Sequence, residues 1–253
     1  MIATSTLTIA GYAAVAGWCF LTALAGGVAG LVLGNIRLPA LLLIASSPAA
    51  GAGANIGVSA IAALTAGTTH IRAGRIDWRL VAWMTPPSVA GAVVGGLAAG
   101  ALPGNALLVV IGVTLLGFGI DLLRPRRRPV PQRDKVDLRA AVIAGGLIGL
   151  LGGLVGLILG SLRMPALLRF GEPPAKAIGT NLAVGVAVGV AGVAGHLPGG
   201  IDWGLLALGA AASIPGALLG ARLTGRLDER QLLRVVGAIL LVAGTAAIAQ
   251  GFL

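Results

Sequence analysis

The sequence predicts an all-α, polytopic membrane protein. About eight transmembrane segments are expected, in two homologous four-segment repeats with broken first helices. Three observations predict it. Of 253 residues, 57% are hydrophobic and only 10% are charged, with a mean hydropathy of +0.99. A soluble domain carries about 25% charged residues, so this chain could not cover a water-facing surface. Apolar stretches of about 20 residues, the length a bilayer demands, recur along the chain. Finally, a shift of about 126 positions superimposes the two halves.

The first repeat, residues 1–123, opens with Leu7 to Leu33 and Pro39 to Ala45, then Gly53 to Thr69, Leu80 to Gly100 and Asn105 to Leu123. Its first apolar run has no basic region before it, so it reads as a retained helix and not a cleaved signal. Residues 124–138 form a basic linker. The stretch "RPRRRPVPQRDKVDLR" from Arg124 to Arg139 has seven basic and two acidic residues, half of the net charge of +10. It lies between apolar stretches and holds three prolines. A cytoplasmic loop obeying the positive-inside rule explains it better than nucleic-acid binding does. The second repeat, residues 139–253, runs through Ala140 to Leu159 with Pro165 to Phe170, Ala177 to Gly195, Gly204 to Leu223 and Leu232 to Leu253.

Each repeat carries the same odd motif. "GLVLGNIRLPALL" from Gly30 matches "GLILGSLRMPALL" from Gly156. Gly34 with Asn35, and Gly160 with Ser161, are poor helix-interior residues. Pro39 and Pro165 suit the first turn of a new helix. The motif reads as a helix, a break and a short second helix beginning near the proline. Such a helix start offers free N–H groups and a positive dipole end, to which Arg37 and Arg163 add full charges. An arginine deep in a membrane costs roughly 3 kcal/mol or more, and a bound anion recovers part of that. The motif therefore predicts two breaks facing one cavity that clamps a small oxyanion. The alternative is that both arginines snorkel to headgroups or cap a neighbouring helix. Asn55, Thr180 and Asn181 could line the same cavity, or serve as caps and interhelical bonds.

His70 and His196 each precede an Ile-Asp-Trp. They are candidates for proton coupling; the competing structural reading is a helix end, a turn, an N-cap Asp and an interfacial Trp. All eight acidic residues fall at loops or segment ends, so a buried carboxylate relay is not expected. Cys19 is the single cysteine, which excludes an intrachain disulfide. No metal ligand set, Walker A motif or catalytic triad is legible, so neither enzyme activity nor a cofactor is expected. Small residues in "GAVVGG" at Gly91 and "GALLGA" at Gly216 mark close helix contacts.

The duplicated order resembles the TauE/SafE family of membrane exporters over nearly the whole chain. The resemblance rests on "RMPALLRFGEPPAKAIGTNL" from Arg163, "GHLPGGIDWGLL" from Gly195 and "GALLGARLTGRL" from Gly216. It implies efflux of sulfite, an organosulfonate or a related small anion across the inner cell membrane, by one half rocking against the other. The family usually has a glycine triplet before its Pro-x-Leu element; here the places read "LGNIR" and "LGSLR". Rival readings are an anion channel or uptake permease with the same site, or a non-transport membrane scaffold. The expected partners are the anion and the bilayer, with a homodimer as the assembly considered.

Overall fold

The computed structural model describes residues 9–42, 44–97, 104–124, 137–155, 158–197 and 200–252. Within these residues the chain forms ten helices and no strand: α1 (Ile9–Ala29), α2 (Gly34–Leu42), α3 (Pro48–Arg72), α4 (Trp78–Leu97), α5 (Gly104–Leu123), α6 (Leu138–Val155), α7 (Gly160–Arg169), α8 (Pro174–His196), α9 (Trp203–Thr224) and α10 (Glu229–Phe252). Most of the basic linker, residues 125–136, lies outside the described residues. Five helices (α1, α3, α8, α9 and α10) are long and apolar enough to cross a membrane. Shorter apolar stretches lie at Val109–Leu123 and Leu138–Gly152. Large apolar side chains such as Val110, Ile143, Leu147 and Val190 are more than half exposed on the outer surface. Lipid tails, not water, suit such a surface.

The break in the first repeat is a reversal of the chain. Gly30 ends α1 in the left-handed region at φ +66°, and Leu31 N–H donates to Gly26 O at 2.9 Å. This is the glycine-terminated cap that closes many helices. A Cβ on Gly30 would also lie 2.6 Å from Ile178 Cα, so only glycine fits. Beyond residues 31–33 the chain runs back: Trp18 Nε1–H donates to Ile36 O at 3.2 Å, and Leu41 clusters with Val15 and Cys19. α2 therefore returns alongside α1, where the sequence reading had one interrupted crossing.

The helix starts also correct the sequence reading. α2 begins at Gly34 and α7 at Gly160, five residues before Pro39 and Pro165. The first intrahelical bonds, Arg37 N–H to Leu33 O and Arg163 N–H to Leu159 O, fix these starts. Each proline sits in the second turn, where it leaves the carbonyl four residues earlier without a helix donor. For Pro39 that carbonyl is Asn35 O, which accepts Gln250 Nε2–H from α10 at 3.1 Å.

Helices pack through glycine, and the pairs cross between halves. α1 lies parallel to α9, with Gly216 against Phe20 and Gly220 against Leu24 and Val28. α6 lies parallel to α4, with Gly145 against Met84 and Gly149 against Ser88. The helices that correspond under the sequence repeat run antiparallel. In α3 and α8, Ala60 faces Gly189 and Ile56 faces Gly192. In α5 and α10, Gly112 faces Gly244 and Ile248, while Gly119 faces Gly237 and Leu241. This differs from the same-direction halves that a simple count of eight crossings implies.

The antiparallel halves also gather the basic segments at one end. Gly225 packs against the Arg75 guanidinium. Lys176 Nζ lies 3.4 Å from Asp77 Oδ2, and Arg169 stacks over the Phe118 ring at 4.6 Å. Arg72 to Arg79, Arg169 to Lys176 and Arg222 to Arg234 thus share one end, with the starts of α4, α6 and α10 and the end of α5. At the other end Asp202 N–H donates to Ala50 O, and Asp202 Oδ2 accepts Ser46 N–H. Among the described residues, the only lysines or arginines away from the basic end are Arg37 and Arg163.

Candidate anion site at the helix breaks

Arg37 and Arg163 are both buried, at 2% and 1% exposure. Neither snorkels. Each is reached by the asparagine of the following long helix, at the same place in both halves. Arg37 Nε–H donates to Asn55 Oδ1 at 3.0 Å, and Nη2–H donates to Asn55 O at 3.1 Å and to Ser59 Oγ. Asn55 Nδ2–H in turn donates to Gly34 O at 3.1 Å. Arg163 Nη1–H donates to Asn181 Oδ1 at 3.2 Å. Asn181 Nδ2–H donates to Gly160 O at 2.9 Å and to Gly30 O at 2.6 Å. Asn181 thereby ties the two breaks together, and a Cβ on Gly160 would lie 3.5 Å from Val32 N.

No described carboxylate pairs with either arginine. Buried cations without a counter-charge are costly, and the usual compensation is an anion or a dense set of acceptors. Arg37 has the denser set. Arg163 Nε–H has no partner. The difference comes from one residue: Ser59 lies one helical turn after Asn55, and its counterpart after Asn181 is Gly185. Sequence reading missed Ser59. Its signal was the four-residue spacing from Asn55, which puts both side chains on one face of α3.

A small cavity adjoins Arg37 and Ser59. Leu31, Val32 and Leu33 of the break line it, with Gly26 of α1, Ala63 of α3 and Leu182 of α8. Its free volume is about 10 Å³, room for about one water. Arg163 does not line it. The opposed pairs in α3 and α8 put Asn55 and Asn181 about 18 Å apart along the helix axes, from a rise of 1.5 Å per residue. Each arginine is therefore bonded within its own half, and the sequence expectation of one cavity between the two is not what the geometry draws.

The remaining candidate residues separate by role. Thr180 Oγ1 accepts Asp77 N–H at 2.9 Å, tying α8 to the α3–α4 loop. Ser161 and Pro165 are buried in α7, whereas Pro39 is exposed and Asn35 half-buried. The Ile-Asp-Trp segments are helix starts: Asp77 Oδ1 accepts Leu80 N–H at 2.9 Å and Asp202 Oδ1 accepts Leu205 N–H at 3.0 Å. Both are N-caps. His70 is fully buried with neither ring nitrogen bonded, while His196 Nδ1 lies 2.9 Å from Gly192 O.

At the basic end Lys176 sits between two carboxylates, 3.4 Å from Asp77 Oδ2 and 3.8 Å from Glu172 Oε2. Burial pushes the Glu172 carboxyl above the usual range, with Lys176 opposing. Burial also pushes Asp77 upward, but the Leu80 N–H bond and Lys176 together hold its carboxyl below the usual range.

A helical bundle with an apolar exterior and five helices long enough to cross a bilayer fits a polytopic membrane protein, and comparison with known proteins gives the class as membrane transporter. The chain belongs to the family described as "Sulfite exporter TauE/SafE", whose model matches residues 15–247. Similar proteins of Bacillus subtilis (strain 168) carry transporter names. "Probable membrane transporter protein YjnA" is 29% identical, covering 90% of this chain and 96% of that protein. "Probable membrane transporter protein YunE" is 22% identical, covering 89% and 93%. No solved structure matches the chain.

Proposed function

We propose that the protein is a secondary transporter that exports a small anion, sulfite or an organosulfonate, across the inner cell membrane. Arg37 and Arg163 supply charge recognition. The observation that carries the reading is the pair of buried, carboxylate-free arginines, each in the first turns of a short helix. Helix N-termini and guanidinium groups both favour oxyanions. Under this reading the two repeats have inverted topology, as in many secondary transporters. The basic end is cytoplasmic by the positive-inside rule. Alternating access then moves the halves about the crossed breaks at Gly30–Gly34 and Ile158–Gly160. The narrow cavity beside Arg37 favours a carrier that opens over a channel with a standing pore.

The test is labelled sulfite and taurine-type sulfonates in reconstituted vesicles. Counterflow is expected, which a channel does not support. Arg37→Met and Arg163→Met variants are expected to lose transport while keeping their detergent-solubilised fold. Sulfite transport at the original rate in both variants refutes the arginine site. His70 is the candidate for proton coupling: its buried ring has no partner, so His70→Leu should leave the fold intact and abolish any pH dependence of transport.

A further inference from the structure

The two arginines are unequal, and the inequality has a direction. Arg37 donates to Asn55 Oδ1, Asn55 O and Ser59 Oγ. Arg163 has the Asn181 Oδ1 bond, and its buried Nε–H is unmet. Gly185 holds the sequence place that Ser59 holds in the first half, where the Ser59 hydroxyl accepts from Arg37 Nη2–H. Asn181 lies eight residues into Arg163's long helix from the end that carries Lys176, whereas Asn55 enters α3 from the opposite end. Arg163 therefore stands on the basic side of the molecule's midplane and Arg37 on the far side.

We propose that Arg163 is the loading contact for the exported anion and that Arg37 is a separate, weaker position. The inference rests on the anion-transport reading above. An anion oxygen takes the Nε–H that the protein leaves without an acceptor, alongside the first-turn N–H groups of α7. Arg37, already supplied with three acceptors, gives less to an incoming anion, which favours release on the far side. The missing hydroxyl at position 185 is then a specificity device: an acceptor built into the protein there would compete with the anion for the same guanidinium edge.

The experiment exchanges the two residues. A Cβ on Gly185 would meet only Val32 Cγ2, at 3.4 Å, so Gly185→Ser fits without displacing backbone. Equilibrium binding of labelled sulfite is measured on the purified full chain in detergent, for wild type, Gly185→Ser and Ser59→Gly. Gly185→Ser is expected to weaken the tighter binding about tenfold, the worth of one charge-assisted hydrogen bond. Ser59→Gly, which frees an Arg37 Nη2–H, is expected to strengthen the weaker binding and not to weaken the tighter one. Wild-type affinity in Gly185→Ser, or a greater loss in Ser59→Gly, overturns the assignment while leaving an anion site in place. Absence of sulfite and sulfonate binding in wild type overturns the transport reading itself, and this assignment with it.

Discussion

Replacing Asn181 with alanine removes the one side chain among the described residues that bonds both helix breaks. Its amide donates to Gly30 O and Gly160 O, and its oxygen accepts from Arg163. Interhelical bonds in membranes average about 0.6 kcal/mol and reach about 1.7, so three are worth about 2 kcal/mol and at most about 5. Arg163 would also lose its Asn181 acceptor, and a buried donor left unmet costs about 1–3 kcal/mol. Asn181→Ala should therefore destabilise by about 3–5 kcal/mol. Asn55→Ala deletes two bonds and leaves Arg37 Nε–H unmet, but Nη2–H keeps the Asn55 backbone carbonyl and Ser59, so about 2–4 kcal/mol is expected, one bond less than for Asn181→Ala. Unfolding of both variants in bicelles, followed by steric trapping or thermal melting, measures the difference. An Asn55→Ala variant as unstable as Asn181→Ala, or more so, refutes the unequal bonding of the two halves.

Three other outcomes follow from the packing and the loops. Gly220→Leu should disrupt the α1–α9 contact by at least about 2 kcal/mol, since a side chain there meets Leu24 O and Val28 N; folded yield in detergent reports it. Asp202→Ala removes the cap on Leu205 N–H and the acceptor for Ser46 N–H, so a loss of about 1–2 kcal/mol is expected in thermal melts. The two carboxylates beside Lys176 should titrate with opposite signs. Asp77, depressed in the fold, stabilises above its unfolded pKa and loses that contribution as pH falls through its folded pKa. Glu172, raised in the fold, costs stability at neutral pH, and the cost lifts as pH falls toward its unfolded pKa. Glu172→Gln should accordingly melt no lower than wild type at pH 7.5, with any advantage shrinking at pH 5; a variant that melts lower at neutral pH contradicts this.

Much of the fold was written in apolar length and in the repeat, because bilayer thickness and duplication both leave plain periods in a sequence. The helix caps at Asp77 and Asp202 were readable for the same reason: a cap is local. The reversal at Gly30 was not, since a glycine followed by apolar residues fits a bend, a crossing or a hairpin equally. What decides is Ile178, 148 positions away, which leaves no space for a Cβ. The prolines misled in a similar way. Pro39 is compatible with a helix start, but its second-turn place depends on Gln250 meeting the released carbonyl. The charge on Arg37 and Arg163 was legible, and so were the matched positions of Asn55 and Asn181, but the Arg–Asn bonds themselves were not read from the sequence. Nor was their unequal bonding, because it turns on Ser59 and Gly185, two small residues without any signature of their own.

The crossing of helix partners bears on how the chain is made. α1 is made before the other nine helices, yet its packing surface is α9, Trp203–Thr224, eight helices later in the chain. Contacts of such long sequence separation form slowly and leave surfaces open meanwhile. The α9-facing side of α1 must therefore wait in lipid while seven intervening helices are made, whereas only α5 separates α4 from α6. A ribosome pause or truncation before α9 would strand that face with nothing to bury it. Biogenesis, more than the finished bundle, is where single-residue changes along Gly27, Gly216 and Gly220 should do their greatest harm.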